Sequence, residues 1–267
     1  MKRSLPTEFL YQVFALIIAV IIVHALYVTI IRPRATDVLA EQNLRMQQEE
    51  TYTPDRSIWV LIRDYEQESC FILMLWAFAI MGYKASSAFS ERSLLQQDLV
   101  PVRDGVRVLP EDTREYARTI QALPEHMRGM LLPRVLLSSL ERFGSTRNVQ
   151  DVSSVANTLC EAEGDRLESE LSMIRYIAWA IPSVGFIGTV RGIGDALGQA
   201  HRAVDGDIAG VTESLGTAFN STFIALLISI VVMFLVHQLQ LLQERLVFDT
   251  QTYIDHNLIR HMQARDR

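Results

Sequence analysis

From Phe9 to Ile31 the chain reads FLYQVFALIIAVIIVHALYVTII, without one Asp, Glu, Lys or Arg. A helix needs roughly 20 apolar residues to cross the hydrocarbon of a bilayer, and this run has that length. It therefore commits the chain to a lipid environment unless the run is removed. Removal is the competing reading, because Lys2 and Arg3 precede the run and VHA resembles a cleavage site. The apolar stretch, however, continues through Ile31, beyond the usual length of a signal-peptide core, so an uncleaved anchor is expected. Composition agrees. Of 267 residues 49% are hydrophobic, and mean hydropathy is +0.15 despite a formal charge of -6.

Three further stretches suit membrane helices. CFILMLWAFAIMGY begins at Cys70 and is short, but Lys84 can snorkel and ASSAF adds a turn, which extends the second span to 70–88. SMIRYIAWAIPSVG leads into the third span, 173–197, with Pro182 as an expected kink. LGTAFNSTFIALLISIVVMFLVHQLQLL forms most of the fourth, 213–243. Between spans one and two lies the polar segment 32–69, divided by Pro54, in which SIWVLIRDYEQE reads as a short amphipathic helix. Residues 89–172 read as a mainly helical domain. There DLVPVRDGVRVLPED suits extended chain and a turn, and three helices follow, opening near Pro110, near Pro124 and after Gly144 with Ser145 as cap. The last of these shows no breaker before Trp179 and is expected to continue into the third span.

The fold class expected is thus an all-α membrane protein with four transmembrane helices and long helices extending from the membrane into the cytoplasm. Arg175 and Arg245 stand at the entry of span three and the exit of span four, while Asp195 at the end of span three and Asp205 and Asp207 in the joining loop, 198–212, stand against Arg202. By the positive-inside bias, residues 1–8, the 89–172 domain and a C-terminal helix, 244–267, lie in the cytoplasm, and 32–69 and 198–212 in the periplasm. The basic residues are scattered among acids, so no nucleic-acid partner is expected. Cys70 and Cys160 have neither disulfide nor ligand spacing; free thiols and no metal site follow.

GFIGTVRGIGDALG, 185–198, places Gly185, Gly188, Gly192, Gly194 and Gly198 at the end of an apolar helix. Gly188 with Gly192, and Gly194 with Gly198, are small-xxx-small pairs, which bring helix backbones together in lipid. A phosphate cradle is a poor fit, since the pattern is GxGxxxG and no strand precedes it. GIGD also matches the signature of intramembrane aspartyl proteases, but those need a second membrane Asp, which no other span supplies. Asp195, four residues after Arg191, suits an interfacial ion pair instead.

The fourth span opens with Thr212, Glu213, Ser214, Thr217, Asn220, Ser221 and Thr222, before a nearly polar-free half. Polar atoms in hydrocarbon need partners or water. Hydroxyls can find these on neighbouring helices. Glu213 is harder to explain so simply, because a carboxylate in a span by default marks an ion path or a buried partner. On a helix Glu213, Thr217, Asn220 and Ser221 share one face.

SMIRYIAWAIPSVGFIGTVRGIGDAL, a short acidic loop, GVTESLGTAFNSTFIALLISI and an amphipathic tail together resemble the MotA/TolQ/ExbB proton-channel family, over about 145–262. The resemblance implies a non-enzymatic, cofactor-free stator subunit of a bacterial inner-membrane motor. Five copies would surround single-span partners of the MotB/TolR/ExbD type, whose membrane Asp carries the ion. It further implies that Thr189 is the threonine of the penultimate span and Glu213 a glutamate at the mouth of the last. Gapless matching puts Ala218 at the last-span threonine position with Thr217 beside it, and Thr217 takes that role. Thr189, Glu213, Thr217, Asn220 and Ser221 then form the expected ion pathway. A static oligomeric scaffold without ion conduction is the alternative.

Overall fold

The computed structural model describes residues 7–48, 57–101, 106–204 and 206–263. Lys2, Arg3, Pro54 and Asp205 lie outside them, as does 102–105 of the segment expected to be extended. In chain order the elements are α1 (Thr7–Leu26), a π-helical turn (Tyr27–Ile31), α2 (Arg32–Gln48), α3 (Ile58–Leu61), α4 (Tyr65–Leu94), α5 (Thr113–Gln121), α6 (Glu125–Arg128), α7 (Leu131–Thr146), α8 (Val149–Glu170), α9 (Ser172–Gly198), α10 (Ala200–Val204), α11 (Ala209–Asn257) and a 3₁₀ turn (Ile259–His261). Among the described residues the sole β feature is a parallel bridge between Val108 and Met262. Four helical stretches are long and apolar enough to cross a membrane: Glu8–Met46, Tyr65–Leu94, Val149–Gly198 and Ala209–His261.

Several boundaries differ from expectation. The first helix does not stop at Ile31; it passes through the π turn into α2. Pro33 stands two residues beyond the end of that wide turn, and a proline has no N–H to donate and crowds the carbonyl four residues before it. SIWVLIRDYEQE is not one helix. It divides into α3 and the first turn of α4, where the Asp64 carbonyl accepts the Glu68 amide at 3.1 Å. Because α4 starts at Tyr65 rather than Cys70, it carries Glu66, Gln67 and Glu68 in its opening turn.

The expected cap Ser145 lies inside α7, its hydroxyl bonded to the Arg142 carbonyl at 2.9 Å. Arg147, in the left-handed region at φ 55°, ends α7, and Asn148 caps α8 by accepting the Gln150 amide at 2.9 Å. Only Leu171, whose amide bonds the Glu168 carbonyl at 3.1 Å, interrupts the helix from α8 into α9.

The chain divides into two compact units, 1–82 with 173–236, and 83–172 with 237–267. In the first, Val23 of α1 and Tyr27 and Ile31 of the π turn pack against Phe71, Ile72 and Leu75 of α4, while the Trp76 indole donates to the Gln12 carbonyl at 2.9 Å. Elsewhere α1 exposes large apolar side chains such as Phe14, Ile18 and Ile21, the surface a lipid-facing helix presents. Pro182 sits inside α9 and leaves the Ala178 carbonyl without its amide. The Ser229 hydroxyl of α11 donates to that oxygen at 3.3 Å, so a polar residue in an otherwise apolar half-helix repairs a proline gap.

The second unit is built differently. Leu136, Leu140 and Phe143 on α7 are fully buried in a core with Ile120 of α5, Val152 and Ala156 of α8, Ile254 of α11 and Leu258 just beyond it. Gly144 lets α5 approach: a Cβ there would stand 2.9 Å from the Thr113 hydroxyl. The buried Glu163 carboxylate accepts from Arg134 at 2.5 Å and Arg166 at 2.7 Å, and Lys84 pairs with Glu170 at 2.9 Å.

Candidate functional site

In the first unit α9 approaches α11 closely. Gly185, Gly188 and Gly192 face Ala225, Ser221 and Ala218, all three of which are fully buried. As the number rises on α9 it falls on α11, so the helices run antiparallel. A Cβ on Gly188 would lie 2.6 Å from the Ser221 Cβ, one on Gly192 2.7 Å from the Ala218 Cβ, and one on Gly185 still closer to the Ala225 Cβ. Such contacts exclude any side chain at these three positions without a backbone shift. Gly194 and Gly198 are different. Among the described residues a Cβ at either meets nothing within 4 Å.

Close approach places backbone carbonyls and hydroxyls within reach across the seam. The Thr189 hydroxyl donates to the Ala218 carbonyl at 3.0 Å and meets the Thr222 hydroxyl, while Thr222 donates to the Gly185 carbonyl at 3.1 Å. Each residue is half-buried. On antiparallel helices the next residue in sequence turns by about 100° toward the same edge of the seam on both sides. Thr189 and Thr222 thus share one edge. Gly188 and Ser221 share the other, where α4 packs: the Gln67 amide reaches the Ser221 hydroxyl at 3.5 Å, and the Glu66 Cγ would stand 3.0 Å from a Gly188 Cβ.

This geometry divides the residues expected to form one pathway. Counting about 100° per residue on α11, Thr217, Asn220 and Ser221 fall within about 80° of Glu213, whereas Thr222 lies about 180° away. The Glu213 face turns to α3–α4: its carboxylate accepts from Arg63 at 3.0 Å. Ser221, fully buried, donates to the Thr217 carbonyl at 3.0 Å and is packed against Gly188. Asn220 is half-buried on this same side of α11. The threonine that meets Thr189 is therefore Thr222 and not Thr217. A signal for it exists in the sequence. Ala218, Ser221 and Ala225 repeat at helical spacing as the complement of Gly192, Gly188 and Gly185, and Thr222 stands beside that stripe as Thr189 stands beside its own.

A second feature has no counterpart in the expected site. Arg191 does not pair with Asp195; it donates to Glu66 at 2.8 Å, bridging α9 to the first turn of α4. Arg63 serves both Glu213 and, at 3.5 Å, Asp64. Glu68, buried, accepts from Arg32 and lies 2.7 Å from His24 Nδ1, and the Arg32 guanidinium stacks 4.3 Å from the Tyr65 ring. Burial pushes the Asp64 carboxyl above its usual range, against the pull of Arg63 and Arg191. These groups come from a segment whose charges, read in sequence, look like those of any solvated loop. Only the early start of α4 carries them against α9 and α11. Among the described residues no group of three or more His, Cys, Asp or Glu side chains is placed to hold a metal ion.

No curated protein and no solved structure matches the chain significantly. A family match does exist, and it begins within the second unit rather than at residue 145 and ends at 252 rather than 262. Residues 130–252, which contain the whole α9–α11 seam with Thr189 and Thr222, match the model of the MotA/TolQ/ExbB proton channel family.

Proposed function

We propose that this chain is the ion-conducting stator subunit of a bacterial inner-membrane motor, coupling proton or sodium flow to mechanical work. It would do so as a homo-oligomer, a pentamer by the family's pattern, around a single-span partner of the MotB/TolR/ExbD type that supplies a membrane aspartate. The observation that carries this reading is the Thr189–Thr222 pair. Two hydroxyls meet across the glycine-lined α9–α11 seam, in the family-matched region, on the edge opposite the one where Gln67 of α4 reaches Ser221. An acidic partner helix lying along that edge would find hydroxyl oxygens among the exposed apolar side chains of Phe186, Ile193 and Phe219. Each elementary charge that crosses a 100 mV potential releases about 2.3 kcal/mol, sufficient to bias one step of a ring around an asymmetric core. The helices of the second unit would pass that motion on in the cytoplasm.

The test is co-expression with the partner and measurement of ion flux in vesicles. Thr189→Val and Thr222→Val should each lower flux at least about tenfold, the loss that about 1.4 kcal/mol on the barrier produces. The partner's Asp→Asn should abolish it. Flux unchanged in all three rejects the mechanism and favours the static scaffold. Under that alternative Gly194 and Gly198, uncovered by any of the described residues, would serve as contact points for another copy.

A further inference from the structure

We propose that Arg63 and Glu66 are positioning residues: by tying Glu213 of α11 and Arg191 of α9 to one corner of the first unit, they set the rotation of both seam helices and hold Thr189 against Thr222. The seam alone does this poorly. Glycine against alanine or serine lets two helix axes come near, but it presents no knob to stop either helix from rolling. A roll matters, because Thr189 stands about 100° around α9 from Gly188, and Thr222 about 100° around α11 from Ser221. Each helix carries a charged residue on the other side of that contact. Arg191 lies about 60° from Gly188 in the sense opposite to Thr189, and Glu213 about 80° from Ser221 in the sense opposite to Thr222. One corner takes both: Glu66 accepts from Arg191 at 2.8 Å, and Arg63, three residues earlier, donates to Glu213 at 3.0 Å. The two ties act as stays across from the hydroxyl pair.

Ion pairs on a water-exposed surface contribute little, and these differ from them on the corner side. The Glu66 side chain is 11% exposed and that of Arg63 24%, while their partners Arg191 and Glu213 are more open. The Glu66 stem lies on the seam itself, its Cγ 3.0 Å from where a Gly188 Cβ would stand. Arg63 is steadied in turn by Asp64 at 3.5 Å. The fully buried Gln67 donates to the Leu61 carbonyl at 3.2 Å and reaches the Ser221 hydroxyl at 3.5 Å, so the corner grips α11 at a second level. Between helices in lipid, where no hydrophobic drive separates one arrangement from another, packing and polar contacts of this kind decide the geometry. The charges are also crossed. The corner offers a cation to α11 and an anion to α9, so neither helix can take the other's tie. That the threonine contact bears on ion flux rests on the reading proposed above; that the corner sets the contact does not.

The experiment uses the full chain in lipid nanodiscs with Thr189→Cys and Thr222→Cys together, and reads the rate at which a mild oxidant joins the two new thiols. The chain without them controls for Cys70 and Cys160, both of which are buried. Glu66→Gln and Arg63→Gln should each slow the cross-link about tenfold, a shift within the range measured for members of one ion-pair network. Exchanging the charges, Glu66→Arg with Arg191→Glu, should restore most of the rate, as the conservative Arg191→Lys should retain it. Should Glu66→Gln fail to accumulate, Arg191→Gln and the exchanged pair carry the same comparison. A role confined to stability predicts a lower Tm with an unchanged rate well below it, and that outcome overturns the proposal, as does an equal rate in every background. Flux, measured with the partner and with both threonines in place, separates the two readings. Cross-linking that depends on Arg63 and Glu66, without flux in any background, sinks the motor and spares the corner; flux lost in Thr189→Val, with cross-linking indifferent to the corner, does the reverse.

Discussion

The α9–α11 seam of the first unit and the α7-centred core of the second both bury helices against helices, yet they use opposite materials. In the core, Leu136, Leu140 and Phe143 fill space with large side chains that water would expel. In the seam, Gly185, Gly188 and Gly192 remove side chains altogether, so that backbones meet Ala218, Ser221 and Ala225. A span surrounded by lipid gains nothing by hiding leucine, since the surroundings are as apolar as leucine itself. Close packing and hydrogen bonds across helices remain as the forces available there. The core is thus vulnerable to subtraction and the seam to addition.

That asymmetry can be attacked from both sides. The largest effect is expected from Phe143→Ala, which should cost about 3–5 kcal/mol by leaving a cavity, read as a fall in the denaturation midpoint of the second unit. Next comes Gly188→Ala. A single methyl 2.6 Å from the Ser221 Cβ must push the helices apart, at about 1–3 kcal/mol, and should displace Thr189 from Thr222 with loss of ion flux. Ser229→Ala is smaller. It strands the Ala178 carbonyl beside Pro182 and should cost about 0.6 kcal/mol, the average for a hydrogen bond between membrane helices. Gly194→Ala should be least harmful within the chain, neutral or stabilising by up to about 1 kcal/mol, because alanine is the better helix former and its Cβ meets nothing. If Gly194→Ala proves as damaging as Gly188→Ala, position 194 is covered by another molecule. Equal tolerance of Gly188→Ala and Gly194→Ala would end the comparison itself.

The two edges of the seam show how far sequence carries the site. Thr189 is legible because it stands inside a distinctive glycine pattern. Gapless matching points to Ala218 and Thr217, whereas the hydroxyl that meets Thr189 is that of Thr222. Thr222 emerges when the small residues of α11 are paired with the glycines of α9, and that pairing depends on the helices being antiparallel and in one register. The Glu213 face is legible as polar, but polarity does not say which way a face points. Arg63 and α4 are what claim it. Arg191 and Asp195, four residues apart, satisfy the local rule for an ion pair, and a tertiary partner, Glu66, overrides it.

Local chemistry determined the elements of this protein: apolar runs of membrane-crossing length are set by neighbouring residues, and they make helices whatever lies beside them. Which groups meet was decided by packing. The helical segment from Arg32, the early start of α4 and the close approach of α9 to α11 bring residues more than a hundred positions apart within hydrogen-bond reach, as with Glu66 and Arg191 or Gln67 and Ser221. Spacing along a chain specifies angles around one helix axis. The distance between two axes depends on every side chain that does or does not stand between them, and only the folded chain sums those.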